Sequence, residues 1–100
     1  MQIHNRKLLT IVTEAVLESA LVRDLERLGA PGYTITDARG KGAHGVRDAG
    51  WEANSSIRVE IVCDQATAEA IAAEMKERYY RDYAMSLFLL DVGVWRPEKY

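Results

Sequence analysis

Cysteine is almost missing from this chain. Cys63 stands alone among 100 residues, so no disulfide framework braces the fold. Long hydrophobic runs are missing as well. None approaches the roughly 20 residues that cross a bilayer. Thr10, Thr13 and Glu14 interrupt the N-terminal apolar stretch before it reads as a secretion signal. The expectation is a cytoplasmic protein with no direct membrane insertion. Neither sign of charge dominates: 13 Lys and Arg face 15 Asp and Glu, a net charge of −2. That balance lacks the strong basic field on which nucleic-acid binding rests, so no nucleic-acid partner is expected. The two histidines, His4 and His44, stand far apart and in no metal-ligand spacing. There is no Walker A sequence and no GxSxG, and Ser55, Ser56 and Ser86 have no base beside them in sequence. No catalytic constellation is visible, and the chain is not expected to be an enzyme.

What is present is enough for one modest core. The apolar share, 48%, is ordinary for a globular protein and too high for disorder. One domain over residues 1–100 is expected, burying roughly two thirds of the surface of its unfolded chain. Residues 7–13, KLLTIVT, read as a strand that is apolar on both faces. Thr13 then reads as a helix N-cap with Glu14 in the first turn, where the helix dipole favours a carboxylate. Leu17, Leu21, Leu25 and Leu28 form one helical stripe. Asp24 and Glu26 read as a solvated face, and Gly29 and Pro31 stop the helix. Residues 32–38 form a second strand. Residues 56–63, SIRVEIVC, form a third, with Ile57, Val59, Ile61 and Cys63 on its apolar face. Asp64 caps a helix over about 65–80, and a strand over about 85–95 precedes a short tail.

This order is strand, helix, strand, loop, strand, helix, strand. Its two similar halves predict an α+β fold, a ferredoxin-like βαββαβ sandwich. Right-handed crossovers place both helices on one face of the sheet. The first and last strands are nevertheless apolar on both faces, so a single copy leaves an apolar patch bare. Packing of several copies into a closed oligomer resolves this.

Between the second and third strands lies ARGKGAHGVRDAGWEAN, residues 38–54, with four of the seven glycines and neither strand nor helix period. Clustered glycines let backbone N–H groups converge on one anion, and Arg39, Lys41, His44 and Arg47 add donors and charge. Two readings stand: a mobile loop that closes over an anionic small molecule, or a solvated hairpin with no ligand. Trp51 reads either as a partner anchor or as a residue packed on the sheet.

The run Arg39 to Arg47, RGKGAHGVR, set in this order of elements, resembles the PII signal-protein superfamily. There the second strand ends in a G-x-G segment that leads into a long flexible loop, the T-loop, here about 40–54. Gly40-Lys41-Gly42 stands at that place, and His44 matches a position where typical members carry glutamine. The pattern from Gly40 through Arg47 is closest to the PII-like proteins associated with bicarbonate transport and carboxysomes. The resemblance implies a non-catalytic sensor: a homotrimer binding adenine nucleotides in clefts between subunits and acting on a partner through its T-loop. Beside it, the residues themselves lead to the expectation of nucleotide and anion contacts at Arg39, Gly40, Lys41, Gly42, Ala43, His44, Gly45 and Arg47, and of a partner contact at Trp51. The resemblance extends to bicarbonate as a second ligand, and to a bicarbonate transporter or a carboxysome-related protein as partner. Typical members carry a glycine-rich second loop with a phosphate-binding lysine, where this chain has RYYRDYAMS. AMP and ADP are therefore expected to bind ahead of ATP.

Two other readings compete. A structural or divalent-metal-tolerance-like trimer shares the architecture but needs converging Cys, His and carboxylate ligands. A small ferredoxin-like enzyme needs a polar group inside the core, for which Asp91 in the last strand is the candidate.

Overall fold

The computed structural model describes residues 1–40 and 55–100. Among the described residues are four strands and two helices: β1 (His4–Glu14), α1 (Glu18–Arg27), β2 (Thr34–Ala38), β3 (Ser56–Cys63), α2 (Gln65–Tyr79) and β4 (Met85–Val94). Short 3-10 turns occupy Ala15–Leu17 and Pro97–Lys99. The strands lie in the order β2-β3-β1-β4, and every neighbouring pair is antiparallel. This is the ferredoxin-like βαββαβ sandwich expected from the sequence.

The core explains why these segments fold as they do. Leu9 and Ile11 of β1 face Ile61 and Val59 of β3 across the ladder, and all four are buried with Ile57 and Cys63. Leu17, Leu21 and Leu25 close over them from one helical segment, and Ala68, Ile71, Met75 and Tyr79 from the other. Gly29, at φ +84°, occupies the left-handed region and ends the α1 segment, where Ala30 N–H bonds back to Leu25 C=O at 3.0 Å. The Asp64 carboxylate caps α2 by accepting the Thr67 N–H at 2.8 Å, and that bond, first of its causes, holds the Asp64 carboxyl below its ordinary range.

Two expectations at the end of β1 are corrected. Thr13 caps no helix, and Glu14 sits in no first helical turn. Both remain in β1 because ladder pairing holds them there, Thr13 opposite Ile57 and Met85 and Glu14 opposite Ser56. The helix begins only after a 3-10 turn, with no side-chain cap. The Thr13 hydroxyl donates to Ala84 C=O at 2.7 Å, and the Glu14 carboxylate accepts the Ala84 N–H at 2.7 Å.

Asp24 is a further correction. Glu26 is exposed, but Asp24 is 4% exposed. Its carboxylate accepts from the Tyr79 hydroxyl at 2.5 Å, from Arg78 at 3.0 Å and from Arg27 at 3.3 Å. Arg27 and Arg78 also share Glu74, so one polar cluster ties α1 to α2. Burial first, and the bond to Asp24 second, push the Tyr79 phenol up to about 12 from 10.0. The fold thus favours the neutral phenol. Its stabilising contribution is complete below about pH 10 and disappears as pH rises through about 12. Absorbance titration is expected to show a phenolate forming near pH 12, a step missing from Tyr79→Phe. A Tyr79→Phe profile identical to that of the parent contradicts this.

Among the described residues, the sheet face away from the helices keeps large apolar side chains exposed on β4 in a single chain. Leu8 of β1 lies between Val62 of β3 and Leu90 of β4 in one row, and Leu90 and Phe88 are 55% and 45% exposed. Thr10 of the same strand sits opposite Glu60 and Phe88, and its hydroxyl is buried with no hydrogen-bond partner.

Candidate functional site

The candidate site lies where β1 and β2 end and β3 begins. Ala38 and Glu14 both stand opposite Ser56, so β3 starts between the ends of two other strands. The Ala15 N–H donates to Ser55 C=O at 2.9 Å and extends that junction by one residue. Beside it opens a cleft of about 510 Å³, lined by Ala15, Asp37, Ala38, Arg39, Ser55 and Ser56. The volume falls within the range of roughly 300–1,000 Å³ usual for small-molecule sites.

Asp37, Ala38 and Arg39 reach the cleft as consecutive residues where the chain leaves β2, which ends at Ala38. The remaining lining residues are alanines and serines. Among the described residues the cleft therefore offers one cation, Arg39, and one carboxylate, Asp37. That combination suits a ligand with hydroxyl or amine donors at one end and an anion at the other.

Of the residues expected to bind the anion, Arg39 lines this cleft and Gly40 follows it. Among the described residues, a Cβ added at Gly40 meets nothing within 4 Å. Lys41, Gly42, Ala43, His44, Gly45 and Arg47, and Trp51, lie outside the described residues. Sequence reasoning missed Ala15, Asp37, Ser55 and Ser56. The alternation of β2 carries a signal for Asp37, whereas no local pattern brings Ala15 to Ser55.

The other chemistry-bearing residues have structural roles. Cys63 is fully buried, and burial first, then Asp64, pushes its thiol up, away from reactive thiolate. Asp91, the candidate polar group of an enzyme core, is on edge strand β4, where its side chain is 79% exposed and forms an ion pair with Lys7 of β1. The enzyme reading loses its candidate, because that side chain stands in solvent and not inside the core. Among the described residues, no three His, Cys, Asp or Glu side chains gather to hold a metal ion. No helix among them is long and apolar enough to cross a membrane.

The family of nitrogen regulatory protein P-II matches this chain over residues 6–99. The chain belongs to that family. A PII-like signaling protein of Thermus thermophilus is 43% identical, with 100% of this chain and 99% of that one covered and a TM-score of 0.84. CPII of Thiomonas intermedia, a nitrogen regulatory PII-like protein solved with ADP, AMP and bicarbonate, is 24% identical. There the cover is 98% and 95%, and the TM-score 0.81. CPII solved with ADP, AMP and acetate gives a TM-score of 0.85 at 23% identity, with 100% and 98% covered. At these identities the CPII likeness speaks to the fold. The PII-like resemblance drawn from Gly40 through Arg47 and from the order of elements therefore holds, and the chain is a PII-like regulatory protein.

Proposed function

We propose that this PII-like protein is a non-catalytic cytoplasmic sensor of adenine nucleotides. In this reading it is a homotrimer, and AMP or ADP binds in clefts between subunits. Bicarbonate is a second ligand, and the partner is a bicarbonate transporter or a carboxysome-related protein met through residues 40–54. The observation that carries the reading is the cleft at the root of that stretch, with Arg39 in its lining. CPII, the relative solved with ADP, AMP and bicarbonate, supports the choice of ligands. Arg39, Gly40, Lys41, Gly42, Ala43, His44, Gly45 and Arg47 supply the anion contacts, and Trp51 the partner contact.

Trimer formation is supported by the large apolar side chains that β4 leaves exposed on the sheet face away from the helices, which need cover. The unpartnered Thr10 hydroxyl lies on that same face. Light scattering is expected to give three times the 11.2 kDa of one chain. A mass equal to one chain removes the trimer and the intersubunit cleft with it.

The preference for AMP and ADP over ATP rests on the turn after α2. Its N–H groups are already engaged: Asp82 and Tyr83 donate to Tyr79 C=O at 3.2 and 3.0 Å, and Ala84 donates to Glu14. Few remain to cradle further phosphates, and no glycine in residues 78–86 lets the backbone approach them. Competition binding is expected to rank AMP and ADP ahead of ATP, with or without Mg²⁺. ATP binding tightest, and only with Mg²⁺, overturns that ranking.

A further inference from the structure

We propose that Glu14 is a positioning residue, and that the end of β1 couples the turn after α2 to the wall of the cleft. Three consecutive residues carry the connection. The Thr13 hydroxyl donates to Ala84 C=O and the Glu14 carboxylate accepts the Ala84 N–H, both at 2.7 Å, so side chains grip both ends of one residue. The next residue, Ala15, donates its N–H to Ser55 C=O at 2.9 Å. Ala15 and Ser55 line the cleft, whereas Ala84 ends the turn that carries Tyr80 and Tyr83, which are 46% and 38% exposed. The two loops flank β1 on opposite sides, since β1 pairs with β3 through Ser56 and with β4 through Met85.

The register shows why side chains are needed here. Pairing of β1 with β4 stops at Thr13–Met85, while pairing with β3 runs on to Glu14–Ser56. Beyond Met85 no ladder bond holds the turn on the β4 side, so the Glu14 and Thr13 side chains replace the missing rungs. A ligand that presses on Ala15 and Ser55 thus displaces the residue whose neighbour fixes Ala84, and the exposed tyrosine turn registers it. Only the identity of that ligand rests on the nucleotide reading. The coupling belongs to the fold and is tested without ligand.

The test is amide hydrogen exchange by NMR on the ligand-free protein and on Glu14→Ala, Glu14→Gln and Ala15→Pro. Proline at 15 deletes only the N–H donor: Glu14 is already extended, at φ −69° and ψ 137°, as a residue before proline prefers, and position 15 opens a 3-10 turn. Glu14→Ala is expected to speed exchange at both Ala84 and Ala15 by about tenfold. Glu14→Gln keeps an acceptor and is expected to leave both near the parent rates. Ala15→Pro is expected to speed exchange at Ala84, although the Glu14 side chain is intact. The Leu25 amide of α1 remains at its parent rate in all three, which separates coupling from general destabilisation. Ala84 unaffected by Ala15→Pro, or Glu14→Ala acting at Ala84 alone, shows two independent contacts and overturns the proposal. Nucleotide binding failing while the exchange pattern holds removes the ligand assignment and leaves the coupling standing.

Discussion

Asp24→Ala is expected to lower stability by about 3 kcal/mol, the largest effect of any single substitution in the polar cluster. Removing the carboxylate strands the Tyr79 hydroxyl, which is buried and donates to it. An unpaired buried hydroxyl costs about 1–3 kcal/mol, and the loss of hydrogen bonds to a charged group adds a comparable amount. Arg27 and Arg78 are about half exposed and retain Glu74, so they recover water and their other partner. This keeps the total below the upper range for breaking a fully buried ion pair. Asp24→Asn retains the shape and one acceptor for Tyr79, and is expected to recover part of the loss. Urea unfolding followed by circular dichroism measures it. A midpoint for Asp24→Ala within error of the parent shows that the cluster is ornamental to stability.

Arg47→Ala is expected to weaken nucleotide binding about ten- to hundredfold, the loss of charge-assisted hydrogen bonds worth roughly 1.5–3 kcal/mol. The planar guanidinium offers a paired set of donors to an oxyanion that lysine does not reproduce, so Arg47→Lys is expected to recover little. Gly42→Val is expected to have an effect of similar size by keeping the backbone away from the anion. Both positions fall in sequence between β2 and β3, and neither change is expected to alter the oligomer. Parent-like affinity in Arg47→Ala removes Arg47 from the anion contacts and leaves Arg39, a cation in the lining of the cleft, as the next candidate.

The parts of this protein that were legible in sequence are those where a local pattern carries the tertiary answer. Residues 56–63 alternate without interruption, and β3 occupies Ser56–Cys63. Asp64 stands directly before the run that forms α2 and caps it. The stripe Leu17, Leu21 and Leu25 is buried as its spacing requires. Thr13 and Glu14 misled because their residue types favour a helix start. Pairing of Thr13 on both sides and of Glu14 with β3 overrode that preference, and ladder bonds outweigh an intrinsic propensity of a few tenths of a kcal/mol. Asp24 misled because a helical wheel knows only its own helix. Its burial depends on Tyr79 and Arg78 arriving from the other one, more than fifty residues later in the chain. The site divides in the same way. Arg39 was legible as a cation beside glycines, and the glycine pattern named the family. The cleft itself is made by Ala15, Asp37 and Ser55 meeting from three segments, a juxtaposition that sequence spacing does not encode.

The most direct test of the account is isothermal titration of the intact protein with ADP. One nucleotide bound per chain, with affinity that falls steeply in Arg47→Ala, is the predicted result. No heat with ADP at any accessible concentration, and none with AMP, contradicts the claim that this PII-like chain senses adenine nucleotide.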